Sequence, residues 1–502
     1  MGDMAYPEIQ NRHVDNLAIK VFGHRIFESQ TLYEYLIEFL LVFVSPKEWG
    51  PFDAQGGGSM AYEFPPPPRV GEPTDQLHYM PAARMGLKRF IFFERSKMEN
   101  RYEVDKRAYR DLMKQLCART EVGIERFCAE DIVAAVQYLF YGFDAVLRNR
   151  AWFAQCLLPL TPEVIFCEAI GNRQRRRGIT QETFEEVDGA FEFMQHVFLA
   201  RGGEVYFLHL VRGLLERPHL KVRLEEGLRR LVQESFPEIS ILAQWVDEAW
   251  LDYMDVSEAE RIHIVKKCEW IPDGYARRAP FSVEELVNVL ESEMPALDKM
   301  NLLAVGIAMH VLRMMHEQAV LVGRDEKDSP TWVMQVDQGP HKRVRQHAVG
   351  SYVICEEDFV NALGAQIAKG DDEVDKVGAI KDNVRNSSML FRKLGKSIGL
   401  IVPPKGANAR FTVNEKILSF LVLATVRPGQ KVLLDDFLGK IFNRYGLVIG
   451  PEQSDRGQHG RRSDVFDANL AAFQKMLKQS GFLRDLSDAT AIVENPFGGS
   501  IT

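Results

Sequence analysis

The chain is 502 residues long, 46% hydrophobic and 26% charged, with a formal net charge of −8. Such length and composition fit a globular protein of roughly two to four domains, and the acidic balance excludes a surface coated overall with basic charge, so any contact with nucleic acid has to be local. The six cysteines, Cys117, Cys128, Cys156, Cys167, Cys268 and Cys355, are too scattered for a redox or zinc pair and too few for a disulfide scaffold, and they read as buried thiols of a reducing compartment.

Met1 to Asn16 carries Asp3, Glu8 and Asp15 where a secretory leader needs a basic start and an apolar centre, which points to a cytoplasmic protein. Leu32, Tyr35, Leu36, Phe39, Leu40 and Phe43 follow three- and four-residue steps and predict a helix over 30–44 capped by Ser29. Glu34 and Glu38 interrupt it and it is too short to span a membrane, so no membrane contact is expected. Gly56 to Gly58 and Pro65 to Pro68 make 50–81 an extended Gly/Pro-rich loop. Arg89 to Phe93 reads as a short buried strand, and helices follow over 105–116 and 129–147. The segments 183–199, 225–232, 240–253 and 283–290 each mix apolar positions at helical spacing with charges between them. No fixed period recurs, so an irregular multi-helix body is expected rather than a solenoid.

Thr331 to Val336 and Val349 to Ile354 look like two strands joined by Gln338-Gly339-Pro340, a small β-hairpin at 331–355 inserted in the helical body. The acidic run Asp371, Asp372, Glu373 and Asp375 suits a solvated connection, and Pro403-Pro404 with Gly406 to Asn408 makes a break. The division expected is a mainly helical body over 1–380, a basic linker over 381–410 and a C-terminal unit over 411–502. In that unit Ile417, Leu418, Leu421 and Val422 line a first helix; Leu434, Phe437, Leu438, Ile441 and Phe442 line a second; Leu470, Phe473 and Leu477 line a third capped by Asp467. Phe482 to Leu486 and Ala489 to Glu494 then form a hairpin. The fold class is therefore mainly α.

Charge singles out candidate residues. From Asn383 to Asn414 there is no acid while Arg385, Arg392, Lys393, Lys396, Lys405 and Arg410 supply six positive charges, and 383–478 holds 16 basic against 7 acidic residues. Arg456, His459, Arg461 and Arg462 sit in a glycine-containing loop before the third helix, whose Lys475 and Lys478 can point outward; flexible cations of this kind engage phosphate oxygens. The solvated-loop reading is somewhat the stronger for that cluster. Arg175, Arg176 and Arg177 form the densest basic run, and Lys342, Arg343 and Arg345 would decorate the tip of the hairpin. All are candidates for nucleic-acid contact, while solvated loops or contacts to acidic protein surfaces are the plainer explanation of each.

No catalytic site, metal site or cofactor motif emerges. His310 and His316 are six residues apart and fall on different helix faces, as packing histidines do. His209, His219 and Glu204 have no hydrolytic zinc spacing, and Gly56-Gly57-Gly58 and Gly202-Gly203 lack the residues of a phosphate loop. Asp337, Glu356 and Glu357, near the expected strands, are where a divergent metal-dependent nuclease would be sought.

By its order of helix, helix, helix and hairpin, 411–497 resembles the winged-helix branch of the helix-turn-helix superfamily, although the connection over 446–464 is longer than the short turn of that family. The resemblance implies a module that docks on nucleic acid or on protein. An acidic helical body with a basic winged-helix-like tail is also similar to accessory subunits of bacterial genome-maintenance and antiphage defence systems. The expected function is a non-catalytic component of a multiprotein assembly, with DNA or RNA on the basic C-terminal region and other protein subunits on the acidic body; a protein-interaction scaffold and a divergent nuclease are the alternatives.

Overall fold

A computed structural model describes residues 17–24, 26, 30–50, 60–66, 76–82, 84–92, 103–120, 128–142, 161–165, 202–255, 265–268, 271–324, 329–337, 339, 342–368, 376–457, 463–487 and 490–498. The protein is mainly helical, with small strands. The first elements are α1 (Leu17–Phe22), α2 (Leu32–Val44), β1 (Lys47–Trp49), β2 (Leu77–Tyr79), α3 (Met85–Phe92), α4 (Glu103–Ala118) and α5 (Ala129–Gly142). Then come α6 (Gly202–Glu216), α7 (Lys221–Arg229), a π-helical turn over Arg230–Glu234, α8 (Pro237–Met254), β3 (Lys266–Lys267), α9 (Asp273–Ala276), α10 (Ala279–Glu291) and α11 (Ala296–Arg324). The second half holds β4 (Trp332–Val333), α12 (Lys342–Ala368), α13 (Lys376–Ser397), β5 (Ile401–Val402), β6 (Arg410–Phe411), α14 (Glu415–Thr425), β7 (Lys431–Leu433), α15 (Leu434–Tyr445), β8 (Leu447–Val448), α16 (Pro451–Arg456), α17 (Ser463–Gln479), β9 (Leu483–Ser487) and β10 (Thr490–Glu494).

Local chemistry accounts for most boundaries. α2 is capped two residues later than the sequence suggests, at Thr31 rather than Ser29, because Glu34 accepts from the Thr31 backbone N–H at 2.6 Å and from its hydroxyl at 3.0 Å. Gly203, which reads as a turn, opens α6 packed hard on α2: its N–H donates to Glu38 at 2.9 Å, and a Cβ there would lie 2.5 Å from the Tyr35 carbonyl oxygen. α14 is capped by Asn414, whose Oδ1 accepts from Ile417 N at 2.9 Å.

Several expectations need correction. The 50–81 stretch is not all loop, since Leu77–Tyr79 is β2 and pairs with β1 and β3. Arg89 to Phe93 is not a strand, since Met85–Phe92 is a helix with Leu87, Phe90 and Ile91 buried. No hairpin forms over 331–355: Trp332–Val333 pairs in parallel with β8, a partner more than a hundred residues away, and Val349 to Ile354 lie within the 27-residue α12. Short apolar runs fit a buried strand and a helix equally by periodicity, and only length separates them. The basic stretch after residue 381 is helical through Ser397 and then forms the β5–β6 ladder. Among the cysteines, Cys268 and Cys355 are buried but Cys128 is exposed; Cys156 and Cys167 lie outside the described residues, as does 183–199.

One continuous apolar core runs from Ala18 in α1 to Val493 in β10, and a smaller one joins α3, α4, α5 and α8. The C-terminal elements share the larger core. Ile417, Leu418 and Phe420 to Ala424 of α14 are buried, and Phe420 fills the space left by Gly306 of α11, where a Cβ would come within 2.2 Å of its ring. β7, β10 and β9 form one antiparallel sheet in that order. The long connection between α15 and α17 is occupied by β8 and α16, and β8 is stitched to β4. No helix among the described residues is long and apolar enough to cross a membrane.

Candidate nucleic-acid interface

α12 packs against α13 and β6, and α13 packs against β5. Arg392 of α13 reaches Glu356 of α12 at 2.6 Å and donates to the Tyr352 hydroxyl at 3.0 Å, which fixes the two helices side by side. Lys396 donates to the Pro404 carbonyl at 3.1 Å in the turn between β5 and β6. Arg343 and Arg345 are exposed in the first turn of α12 rather than at a hairpin tip, and Lys342 is its first residue. Lys393 is exposed as well.

Arg410 on β6 donates through Nε to the Gln335 side chain. Its guanidinium pKa is lowered, by burial first and then by the charge of Arg345. Arg410 thus feels the like charge of Arg345, and among the described residues neither has a carboxylate partner. Like charges held together in this way repel unless an anion sits between them.

Along α13, Lys381, Arg385, Arg392 and Lys396 fall at i, i+4, i+11 and i+15, an arc of about 60° on a helix, over roughly 22 Å of its length. The first three are exposed.

The remaining candidates divide. Arg456 is exposed and pairs with Glu452 at 2.6 Å on α16. Lys475 and Lys478 are both exposed on α17, Lys478 engaging Asp485 of β9. His459, Arg461, Arg462, Arg175, Arg176 and Arg177 lie outside the described residues. In the chain, Arg461 and Arg462 directly precede α17, whose first turns pack Val465 and Phe466 against Val344 and Ala348 of α12. The C-terminal sheet is charge-paired, Glu494 meeting Arg484 at 2.9 Å and Lys431 at 3.6 Å.

Sequence reasoning missed a second polar assembly, buried where α6, α10 and α11 meet the end of α15. Glu285 is fully buried and accepts from Arg278, from the Tyr445 hydroxyl at 2.7 Å and from His310 Nε2 at 2.9 Å, with Arg444 at 3.3 Å. Because a carboxylate can only accept, His310 carries its proton on Nε2, and Nδ1 accepts from the Tyr206 hydroxyl at 2.8 Å. Burial alone would raise the Glu285 carboxyl, but Arg278, His310 and Arg444 outweigh it and hold it at about 2. Burial, aided by Arg278, lowers His310 to about 4, so its ring is neutral at pH 7. His316 repeats the arrangement six residues on: Nε2 meets Asp358 at 2.9 Å, and the Trp332 indole N–H donates to Nδ1 at 2.7 Å. These groups rivet α11 to α10 and α15 at one level and to α12 and β4 at the other. No spacing could have found them, since the partners are up to 160 residues apart.

The carboxylates considered for a nuclease do not converge. Glu356 is engaged by Tyr352 and Arg392, Glu357 is exposed on α12, and Asp337 accepts from the Gly339 N–H at 2.9 Å. Among the described residues no group of three or more His, Cys, Asp or Glu side chains could hold a metal ion. His209 shares a hydrogen bond with Ser282 at 2.9 Å in the buried assembly, apart from the exposed His219.

Residues 387–494 match the family model of the methylation-associated defense system protein MAD7. The match begins on α13 and ends at the close of β10, so it takes in the basic end of α13, the β5–β6 ladder and the C-terminal sheet. It links this region to a defence system. Neither a curated protein nor a solved structure matches the chain.

Proposed function

We infer that the protein is a non-catalytic, nucleic-acid-contacting component of a multiprotein antiphage defence system acting in the cytoplasm, and that α14 to β10 form a winged helix fused to the helical body. The observation that carries the reading is the cationic end of the α12–α13 pair, where Arg345 is exposed on α12, Arg392 and Lys393 are exposed on α13, and Lys396 reaches the turn that leads to Arg410. A phosphate backbone is the polyanion that satisfies such a cluster without sequence readout. Arg461 and Arg462, next in the chain to α17, are proposed as further phosphate contacts. With β8 and α16 as an insertion between α15 and α17, the remaining order helix, strand, helix, helix, strand, strand, with β10 between β7 and β9, supports the winged helix.

A second reading has its own support. Across 463–479 Asp464 and Asp467 balance Lys475 and Lys478, and the hairpin after it is charge-paired, which suits a winged helix that docks on protein. In the combined picture, α17 and the acidic body contact other subunits while the α12–α13 end contacts phosphate.

Fluorescence anisotropy with labelled duplex and single-stranded DNA and RNA tests the reading. Binding that weakens steeply with salt is expected, with substitution of Lys475 and Lys478 by Ala changing it little; no binding to any probe at low salt overturns it and leaves the protein-docking role.

A further inference from the structure

The outer face of α12 follows a seven-residue repeat. Arg343, Gly350, Glu357 and Gly364 recur every seven residues, with Gln346, Val353, Val360 and Ile367 three positions on and His347, Ile354 and Asn361 four positions on. The opposite face is spent on the core through Ala348, Tyr352, Cys355, Phe359 and Leu363. On the repeat face, Val353, Ile354 and Val360 are 44%, 46% and 46% exposed. Single exposed aliphatics are ordinary. Val353 and Val360, seven residues apart, with Ile354 beside them on the same side of the helix, make the seam on which a second helix packs.

The glycines point the same way. A Cβ at Gly350 or Gly364 would meet nothing within 4 Å, so neither is demanded by the packing of this chain, and each weakens the helix relative to alanine. On a seam, glycine lets a second backbone approach closely.

Charge selects the occupant. Arg343 and Glu357 are exposed, lie seven residues to either side of Gly350, and among the described residues neither has an ion-pair partner. We propose that this face binds a second copy of the chain, with two α12 helices antiparallel about a two-fold axis at Gly350, so that each Arg343 faces the other copy's Glu357. The contact is self-complementary, as a two-fold interface requires. Gly350 meets its counterpart at the crossing, Val353 falls opposite the other copy's His347, and Ile354 falls opposite its Gln346. A register centred on Glu357 would place the two carboxylates together, which neutral pH disfavours. The dimer consumes Arg343 but neither Arg345 nor Arg410, so it leaves the phosphate-binding pair open.

Sedimentation equilibrium of the full-length protein over a range of concentrations tests this. A monomer–dimer equilibrium is expected; Arg343→Glu and Glu357→Arg should each weaken it about tenfold or more, and the double reversal should restore it. Gly350→Ala should loosen the dimer while raising the thermal midpoint of the monomer, which separates docking from folding. A monomer at every concentration, a dimer indifferent to both charge reversals, or a dimer strengthened by Glu357→Gln would overturn the proposal.

Discussion

Asn469 spends its whole buried amide on holding α17 to the body. Its Nδ2 donates to the Met334 and Ile449 carbonyls, each at 2.9 Å, and its Oδ1 accepts from the Val336 and Asp337 N–H groups at 2.8 and 3.0 Å. Replacing it by Ala strands four buried or half-buried backbone groups, and a loss of about 2–4 kcal/mol is expected in urea unfolding; a loss below about 1 kcal/mol would mean that water replaces the amide. The buried histidines set the acid response. His24 and His310 are lowered to about 4, and burial lowers His209 and His316 as well. A histidine whose folded pKa lies below 6.5 takes up its proton preferentially when unfolded, so stability is complete above about pH 6.5 and declines as pH falls toward 4. Thermal midpoints measured between pH 7 and pH 4.5 should drop steeply, and His310→Gln should flatten part of that slope. Glu285 adds to the loss only below its ordinary carboxyl range, toward 2. None of these partnerships was legible in the sequence, because each joins residues on separate elements.

Elements with one clear apolar stripe were readable. α2, α14 and α15 fall where the three- and four-residue steps place them, and β9 and β10 pair as the expected hairpin, whereas α17 begins at Ser463, so that Asp467 lies within the helix and is not its cap. α12 defeated the same reasoning because it is apolar on two sides, one facing the core and one facing out, so the run Tyr352-Val353-Ile354 looks like a strand. β8 was invisible because two residues carry no period and its partner is β4. The turn that allows this pairing depends on Gly446. It ends α15 at φ 66°, and a Cβ there would lie 2.4 Å from the Pro330 carbonyl and within 3 Å of the Arg313 guanidinium. Gly446→Ala is therefore expected to cost about 2 kcal/mol or more, read from denaturant midpoints; a neutral substitution would show that β4 and β8 tolerate displacement.

At the scale of the molecule, the C-terminal unit is continuous with the body. α14 is buried along almost its whole length against α10 and α11, and Asn288 donates to the Ala424 carbonyl at 2.7 Å. A fragment of residues 411–502 would expose that helix, and it is expected to lack a cooperative thermal transition, whereas the full chain should have one. This fusion also explains why a composition reading found the charge asymmetry but misplaced its geometry: the cations of 383–414 become a surface only once α12, distant in sequence, lies beside them. On the proposed function, this surface binds phosphate. The most direct measurement is the dependence of duplex affinity on salt for the wild type and for Arg345→Ala/Arg410→Ala. A slope of log affinity against log salt that is shallower by about 2 in the variant, one unit for each lost phosphate contact, is predicted; an unchanged slope and affinity would contradict it.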